Sequence, residues 1–175
     1  IGTKGYLGTG NDGSNRNDFW EYDPATDTWT QRAAFGGTGR YWAVGFSTSA
    51  KGYIGTGYDG SNRKDFWEYD PGSDAWSPKA DFGGSGRNSA VGFTIGGKGF
   101  IGTGYDGSNT SDFWEYNATS NTWVQKATYS GAPRHAATGF SNGTKGYIGT
   151  GSAVTNASDL WAYSAFIDLT CSVAG

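Results

Sequence analysis

A repeat with a period of 47 residues constrains this chain more than any other feature. The tripeptide Lys4-Gly5-Tyr6 recurs as Lys51-Gly52-Tyr53, Lys98-Gly99-Phe100 and Lys145-Gly146-Tyr147. Tryptophans keep the same step in two series: Trp20, Trp67, Trp114, Trp161, and Trp29, Trp76, Trp123. No insertion or deletion breaks the register, so the chain repeats one structural unit. We call residues separated by this period sister positions, and we predict that the tryptophans are structural.

The composition favours β-strands and turns over helices. The 175 residues include 31 glycines and no methionine, 17% are aromatic, and only 17% are charged. Aromatic residues favour strands, whereas glycine, serine and asparagine favour turns. The aromatic content also provides a core that a disordered chain would lack. The chain is therefore predicted to be all-β.

Each period contains four short runs typical of strands. In the second unit they are residues 43–47, 52–57, 65–69 and 75–79, separated by turn residues. The third run places Phe66 on one face and Trp67 and Tyr69 on the other. A sheet with one wet face would alternate apolar and polar residues, so two apolar faces predict a packed neighbour on each side. The small residues of the first run suit a crowded position near a common axis.

The pattern resembles the kelch repeat, in which a Tyr is followed seven residues later by a Trp. Here the pairs are Tyr22 and Trp29, Tyr69 and Trp76, and Tyr116 and Trp123. The second run ends in Gly-Thr-Gly, as at Gly55-Thr56-Gly57, where the family usually has a double glycine. The resemblance implies a kelch-type β-propeller of four-stranded antiparallel blades, with about 3.7 repeats in 175 residues. It implies little about function.

The repeats are predicted to span residues 1–163, with a tail at 164–175. Two blades are complete (40–81 and 87–128), and two are partial (1–34 and 134–163). The tail residues Phe166-Ile167-Asp168-Leu169-Thr170 alternate and are a candidate closing strand. Three arrangements follow: a four-bladed ring closed by the tail, an arc of a longer protein, and an arc completed by other copies. We favour completion by further protein, in the same polypeptide or in another copy.

Three arginines keep the period in the glycine-rich links between units: Arg40, Arg87 and Arg134. We predict structural ion pairs with the glutamates 19 residues earlier: Glu21, Glu68 and Glu115. In the fourth unit Ala162 replaces the glutamate and no later arginine follows, which suits a pair that is lost together. The kelch resemblance implies the alternative, a ring of arginines that binds acidic peptides or anions.

The loops between the second and third runs contain two further candidates. Asp-Gly-Ser-Asn recurs from Asp12, Asp59 and Asp106, each followed by a second aspartate, and such oxygen ligands suit Ca²⁺. A tight turn needs the same residues, so no metal site is predicted. Tyr58 and Tyr105 in these loops are candidates for stacking on a sugar, or alternatively for local packing.

The sequence offers little material for catalysis or for a cofactor. His135 is the only histidine and Cys171 the only cysteine. The copper radical oxidases that resemble this fold need paired histidines and a cross-linked cysteine. Sugar-processing enzymes of the kelch type need arginines and carboxylates, which are present. Because the units differ little from one another, we predict no catalytic residue and no cofactor.

The net charge of −3 and the absence of a basic cluster argue against nucleic acid and anionic membranes as partners. The chain begins at Ile1, which suits removal of a leader or a piece of a longer protein, and the scarcity of Cys and Met suits an extracellular or cell-surface location. We predict a non-enzymatic scaffold that associates with itself into rings or fibres. The alternatives are a carbohydrate- or peptide-binding module and a sugar-processing enzyme.

Overall fold

The computed structural model describes residues 1–165, which form fourteen β-strands in four antiparallel sheets. Sheet 1 contains β1 (Gly5–Asn11), β2 (Asn15–Asp23) and β3 (Thr28–Arg32). Sheet 2 contains β4 (Val44–Ser47), β5 (Gly52–Gly55), β6 (Phe66–Asp70) and β7 (Ala75–Lys79). Sheet 3 contains β8 (Val91–Ile95), β9 (Lys98–Gly102), β10 (Phe113–Asn117) and β11 (Thr122–Lys126). Sheet 4 contains β12 (Thr138–Ser141), β13 (Lys145–Gly149) and β14 (Leu160–Ser164).

The all-β prediction is confirmed, and the strand bounds differ from the predicted ones for a local reason. The second run of unit two was predicted to reach residue 57, but β5 ends at Gly55. Thr56 and Gly57 have φ angles of 59° and 94°, in the left-handed region, and the regular ladder with β6 stops before them, whereas β1 continues past its sister residues Thr9 and Gly10 through a β-bulge. The part of the chain that the structure describes includes no helix long and apolar enough to cross a membrane.

Neighbouring sheets stack through two different faces. The Phe face of a sheet carries Phe19 or its sister residue, and the Trp face carries Tyr22 and Trp29 or their sisters. The Phe face of each sheet packs against the Trp face of the next, with ring centroids 4.7–4.8 Å apart in T-shaped contacts. These contacts are Phe19–Tyr69, Phe66–Tyr116 and Phe113–Tyr163. Two apolar faces per strand therefore serve the stacking that the sequence predicts.

The first strands of sheets 2, 3 and 4 lie side by side, and small residues allow their close approach. The Thr94 hydroxyl donates to the Ser47 carbonyl at 2.6 Å, and the Ser141 hydroxyl donates to the Thr94 carbonyl at 2.6 Å. A Cβ on Gly92 would lie 2.6 Å from Cγ2 of Val44, so any larger residue would push β4 and β8 apart. The predicted crowding at these first strands is confirmed.

The four sheets do not close on themselves within residues 1–165. No strand of sheet 1 contacts a strand of sheet 4 in this range, and among the described strands sheet 1 has none at the position that β4, β8 and β12 hold. The candidate closing strand at 166–170 lies outside the described residues, as does Cys171. The arrangement is therefore an open series with two terminal faces.

Candidate functional site

Each of the three periodic arginines lies in the interior, 1% exposed, with its guanidinium committed to protein groups. The Arg40 guanidinium donates to both carboxylate oxygens of Asp65 at 2.6 and 2.8 Å and to the Thr56 carbonyl at 2.9 Å. Its Nε donates to the Thr38 carbonyl at 3.0 Å, and its Cζ lies 5.0 Å from the centroid of the Phe35 ring. The sister pairs, Arg87–Asp112 and Arg134–Asp159, repeat this arrangement. All five N–H groups of Arg40 and of Arg87 donate to protein acceptors, which leaves these two guanidinium groups no free donor for an anionic ligand.

An ion pair was predicted for these arginines, but the predicted partners are wrong. The partner is the aspartate 25 residues later, where the chain enters the third strand of the next sheet. The glutamates bind cations of their own sheet: Glu21 with Lys4 and Arg32, Glu68 with Lys79, and Glu115 with Lys98 and Lys126. The strand register explains this. Each glutamate and its cations belong to the same sheet, whereas the three periodic arginines lie in the links between sheets.

The aspartates could have been recognised from a shorter spacing. Each lies two residues before a periodic tryptophan whose indole N–H it accepts, as in Trp67 to Asp65 at 2.8 Å. Burial alone would raise the pKa of Asp65, but the hydrogen bonds from Arg40 and Trp67 outweigh that effect and lower it. Asp18, the sister residue in sheet 1, accepts from Trp20 and has no arginine partner within residues 1–165. The aspartate two residues before each tryptophan of the Trp20 series could have indicated the partner of the periodic arginines.

The loop aspartates that were considered for Ca²⁺ have protein partners. Asp12 pairs with Arg16 at 2.5 Å, and Asp59 pairs with Arg63 at 2.7 Å. Asp106 accepts from the Ser85 hydroxyl at 2.6 Å. Among the described residues, no group of three or more His, Cys, Asp or Glu side chains is placed to hold a metal ion.

An aromatic groove lies where sheets 2, 3 and 4 converge, at the loop end of their first strands. It has a volume of about 530 Å³. Its lining consists of Tyr41, Trp42, Tyr58, Asn88, Ser89, Tyr105, His135 and Ala136. The structure thus brings the two predicted loop tyrosines, Tyr58 and Tyr105, into one site. The sequence analysis missed Trp42, which is 59% exposed, because it falls outside both periodic tryptophan series.

The floor of the groove is a chain of backbone hydrogen bonds between sister positions. Trp42, Ser89 and Ala136 have φ angles of 55°, 52° and 51°. The Ser89 N–H donates to the Trp42 carbonyl at 3.0 Å, and the Ala136 N–H donates to the Ser89 carbonyl at 3.0 Å. The left-handed backbone is therefore a property of the repeat, whereas the tryptophan side chain belongs to one unit.

The two terminal faces form a second candidate site. On the Trp face of sheet 1, Leu7 is 62% and Trp29 is 52% exposed. On the Phe face of sheet 4, Phe140 is 48% and Leu160 is 61% exposed. Two sister residues at inner positions, Ile101 and Phe66, are at most 1% exposed, and the inner sisters Trp76, Trp123 and Phe46 are half-buried. These terminal faces are thus copies of surfaces that are covered elsewhere in the molecule.

Comparisons with known proteins bear on the fold. No family model and no curated protein matches the chain. Solved structures do match, 158 chains in all. One of them, the structure of YjhT, superimposes with a TM-score of 0.77 at 16% identity, over 93% of this chain and 60% of that one. The chain thus spans less than two thirds of YjhT, and at this identity the likeness shows a shared all-β fold alone.

Proposed function

We propose that the chain is a non-enzymatic β-propeller module of the kelch type, which acts as an extracellular scaffold by stacking on further copies of itself. The propeller arrangement is supported by the side-by-side first strands and by three repeats of the same sheet-on-sheet contact. The observation that carries the proposal is the pair of exposed terminal faces. One is a Trp face and the other is a Phe face, and these are the two faces that pack together inside the chain.

A phenylalanine knob and a glycine hole mark the contact at two of the three inner boundaries, between sheets 2 and 3 and between sheets 3 and 4. The ring of Phe46 in sheet 2 occupies the space over Gly99 in sheet 3, where a Cβ would overlap its tip. The ring of Phe93 in sheet 3 occupies the space over Gly146 in sheet 4 in the same way. Because only glycine leaves this hole, the period fixes glycine wherever a phenylalanine from the preceding sheet must enter.

The unused knob is Phe140 and the unused hole is Gly5. Phe140 on sheet 4 is the sister of Phe46 and Phe93, and it is 48% exposed. Gly5 on sheet 1 is the sister of Gly99 and Gly146, and the nearest atom to a Cβ built on it is 3.6 Å away, in Tyr22. We expect Phe140 of one copy to enter the space over Gly5 of the next, with Leu160 packing against Trp29.

A hydrogen bond that is missing at Trp29 supports the same contact. Inside the chain, the indole N–H of Trp76 donates to the Ala33 carbonyl at 3.0 Å, and that of Trp123 donates to the Ala80 carbonyl at 3.1 Å. Each bond crosses from one sheet to the link after the preceding sheet. The sister indole of Trp29 has no acceptor within residues 1–165. In the proposed contact the acceptor would come from the link after sheet 4 of another copy, where the sister residue is Ala174, which lies outside the described residues.

The energetics favour reversible association. Completing the burial of Leu7, Trp29, Phe140 and Leu160, each 48–62% exposed, is worth about half of the roughly 1.5–3 kcal/mol that full burial of such a side chain contributes. Association costs roughly 4–15 kcal/mol in lost freedom, so these four side chains offset at most the lower part of that cost and the association is weak. We therefore expect assembly that depends on protein concentration. Because the contact joins unlike faces, it is head-to-tail and produces rings if the rotation closes and fibres if it does not.

A non-enzymatic role is supported by how the ionisable groups are used. The buried arginines and their aspartates are paired with each other, and the loop aspartates are bound locally. The single histidine, His135, has its Nδ1 within 2.7 Å of the Asn109 side-chain oxygen. These side chains are bound to other protein groups.

Analytical ultracentrifugation across a range of protein concentrations tests the proposal. We expect the wild type to form species larger than 18.5 kDa, and Gly5→Phe and Phe140→Asp each to remain at 18.5 kDa. Val154→Asp is the matched control, since Val154 is fully exposed and lies outside both terminal faces. A wild type that stays monomeric at every concentration would sink the proposal, as would equal loss of assembly in the control. Completion by further sheets of a longer polypeptide would appear as a monomeric wild type.

A further inference from the structure

The aromatic groove has a lining that is rich in aromatic rings and carries no formal charge. It is defined by Tyr41, Trp42, Tyr58, Tyr105 and His135, together with Asn88, Ser89 and Ala136. No Lys, Arg, Asp or Glu lines it, although 17% of the chain is charged. Its volume of about 530 Å³ is within the range of small-molecule sites. A neutral site with several aromatic rings suits an uncharged ligand that has both apolar and hydroxyl faces.

Trp42 occupies a backbone position that its side chain does not favour. Its φ is 55°, and a bulky residue in the left-handed region costs roughly 1–3 kcal/mol. Burial does not offset this cost, because the side chain is 59% exposed. The sister positions hold Ser89 and Ala136, so the repeat itself does not require an aromatic ring there. A residue whose side chain disfavours its backbone conformation, and which gains no stability from burial, indicates a functional position.

The polar edges of the groove are free to bind. Within the described range, the hydroxyls of Tyr41, Tyr58 and Tyr105 and the indole N–H of Trp42 have no protein hydrogen-bond partner. By contrast, the periodic tryptophans of the covered contacts all donate to a protein acceptor, as Trp76 and Trp123 do. The rings are also close to one another, since the Tyr41 centroid lies 4.5 Å from that of Trp42 and 5.6 Å from that of Tyr58.

The histidine in the groove offers an acceptor. The amide nitrogen of Asn109 donates to the Ser152 carbonyl at 3.2 Å, which leaves the Asn109 side-chain oxygen facing Nδ1 of His135 at 2.7 Å. That oxygen can only accept, so the proton lies on Nδ1. In neutral His135, Nε2 then carries a lone pair that can accept a hydrogen bond from a hydroxyl.

We infer that this groove is a binding site for a neutral oligosaccharide, with Trp42 as the stacking platform. The apolar face of a sugar ring lies against the indole, and the tyrosine hydroxyls, the Trp42 N–H and Nε2 of His135 bond to its hydroxyls. A proline-rich peptide also docks in aromatic grooves. Its carbonyls can accept from the tyrosine hydroxyls and the indole N–H, but it carries few N–H donors, so Nε2 of His135 would be left without one. The inference does not depend on self-association, since the groove lies away from both terminal faces.

The experiment measures quenching of tryptophan fluorescence and binding heat with four neutral pentasaccharides, built of glucose in β-1,4 linkage, glucose in α-1,4 linkage, mannose and xylose. We expect at least one to bind at concentrations up to about 10 mM. Trp42→Ala should lower its affinity at least about tenfold. This variant should fold normally, because Ala136 already occupies the sister position at a φ of 51°. Tyr105→Ser places in the loop the residue found at the sister position Ser152 and should weaken binding to a smaller extent.

Trp29→Ala is the matched control, because it removes another exposed tryptophan that does not line the groove. It should retain sugar binding while losing assembly, whereas Trp42→Ala should lose sugar binding and retain assembly. The inference is overturned if none of the four neutral sugars binds, or if Trp42→Ala binds them as the wild type does. Binding of a charged oligogalacturonate or a ten-residue proline peptide in their place would also overturn it.

Discussion

Sheets 2 and 3 are covered on both faces, whereas sheets 1 and 4 are each covered on one. Sister residues therefore occupy different environments along the chain. The ring centroid of Trp123 lies 5.0 Å from that of Phe66 and 5.1 Å from that of Phe82, whereas its sister Trp29 is 52% exposed. Asp112 holds a buried arginine, and its sister Asp18 holds none among residues 1–165. The same substitution can therefore be made at an inner position and at its terminal sister position. The difference between their effects on stability measures stacking between sheets separately from strand formation.

The largest expected difference is at the aspartates. Asp112→Asn leaves the buried charge of Arg87 without a counter-ion, which costs about 3–5 kcal/mol in the free energy of unfolding. Asp18→Asn removes no ion pair and should change it by less than about 0.5 kcal/mol. Urea titration followed by tryptophan fluorescence measures both. Equal losses at the two positions would show that the arginine pairs do not hold the inner sheets together.

The next difference is at the glycine holes. Gly99→Val drives the Phe46 ring out of its position and should cost about 1–3 kcal/mol of stability. A Cβ added at Gly5 would have no atom nearer than 3.6 Å. Gly5→Val should therefore leave stability unchanged or raise it slightly, because valine favours strands. Thermal unfolding at low protein concentration compares the two variants without interference from assembly. A similar loss at Gly5 would contradict the open terminal face.

A smaller difference is expected at the tryptophans. Trp123→Phe keeps an aromatic ring but loses the hydrogen bond to the Ala80 carbonyl, at a cost of about 1–2 kcal/mol. Trp29→Phe loses no hydrogen bond within the described residues and should cost less than about 0.5 kcal/mol in the monomer. The comparison sharpens if Trp29→Phe also weakens assembly in ultracentrifugation. If both variants lose the same stability, the Trp faces are equally packed and the comparison fails.

The last prediction concerns how the stability of the fold depends on pH in the wild type and in a Glu21 variant. The hydrogen bonds from Arg32, opposed by burial and reinforced by Lys4 and Tyr6, lower the pKa of Glu21 from an ordinary 4.5 to about 2. A carboxylate with a lowered pKa stabilises the fold above its ordinary pKa, and that contribution is lost as pH falls from about 4.5 towards 2. Glu21→Gln should therefore be less stable at neutral pH and should show a flatter decline over this range. Thermal unfolding between pH 7 and pH 2 checks this, and identical pH profiles would contradict it.

The strands were predictable because their determinants are local. Phe66, Trp67 and Tyr69 alternate across one strand, so the two apolar faces can be read from the spacing alone. Turn residues mark each strand end within one or two positions. The largest departure in the second unit was the end of β5, two residues earlier than predicted, where Thr56 adopts a left-handed φ of 59° that a β-branched residue rarely takes.

The candidate sites were only partly predictable, because they combine residues from different sheets. The burial of Arg40 and its need for a carboxylate follow from its period, but the choice between Glu21 and Asp65 does not. Tyr58 and Tyr105 were identified as exposed loop aromatics, yet Trp42 was missed. The place of Trp42 in the groove depends on the convergence of three sheets, and no spacing within one unit shows that convergence.

The sequence by itself determined the period, the all-β class, the strands and the apolar character of both faces, since each depends on interactions within a few residues of chain. Only the tertiary structure decided which carboxylate meets each arginine, which faces remain exposed, and which side chains line the groove. Those outcomes depend on distances between sheets, and the packing of whole sheets sets these distances.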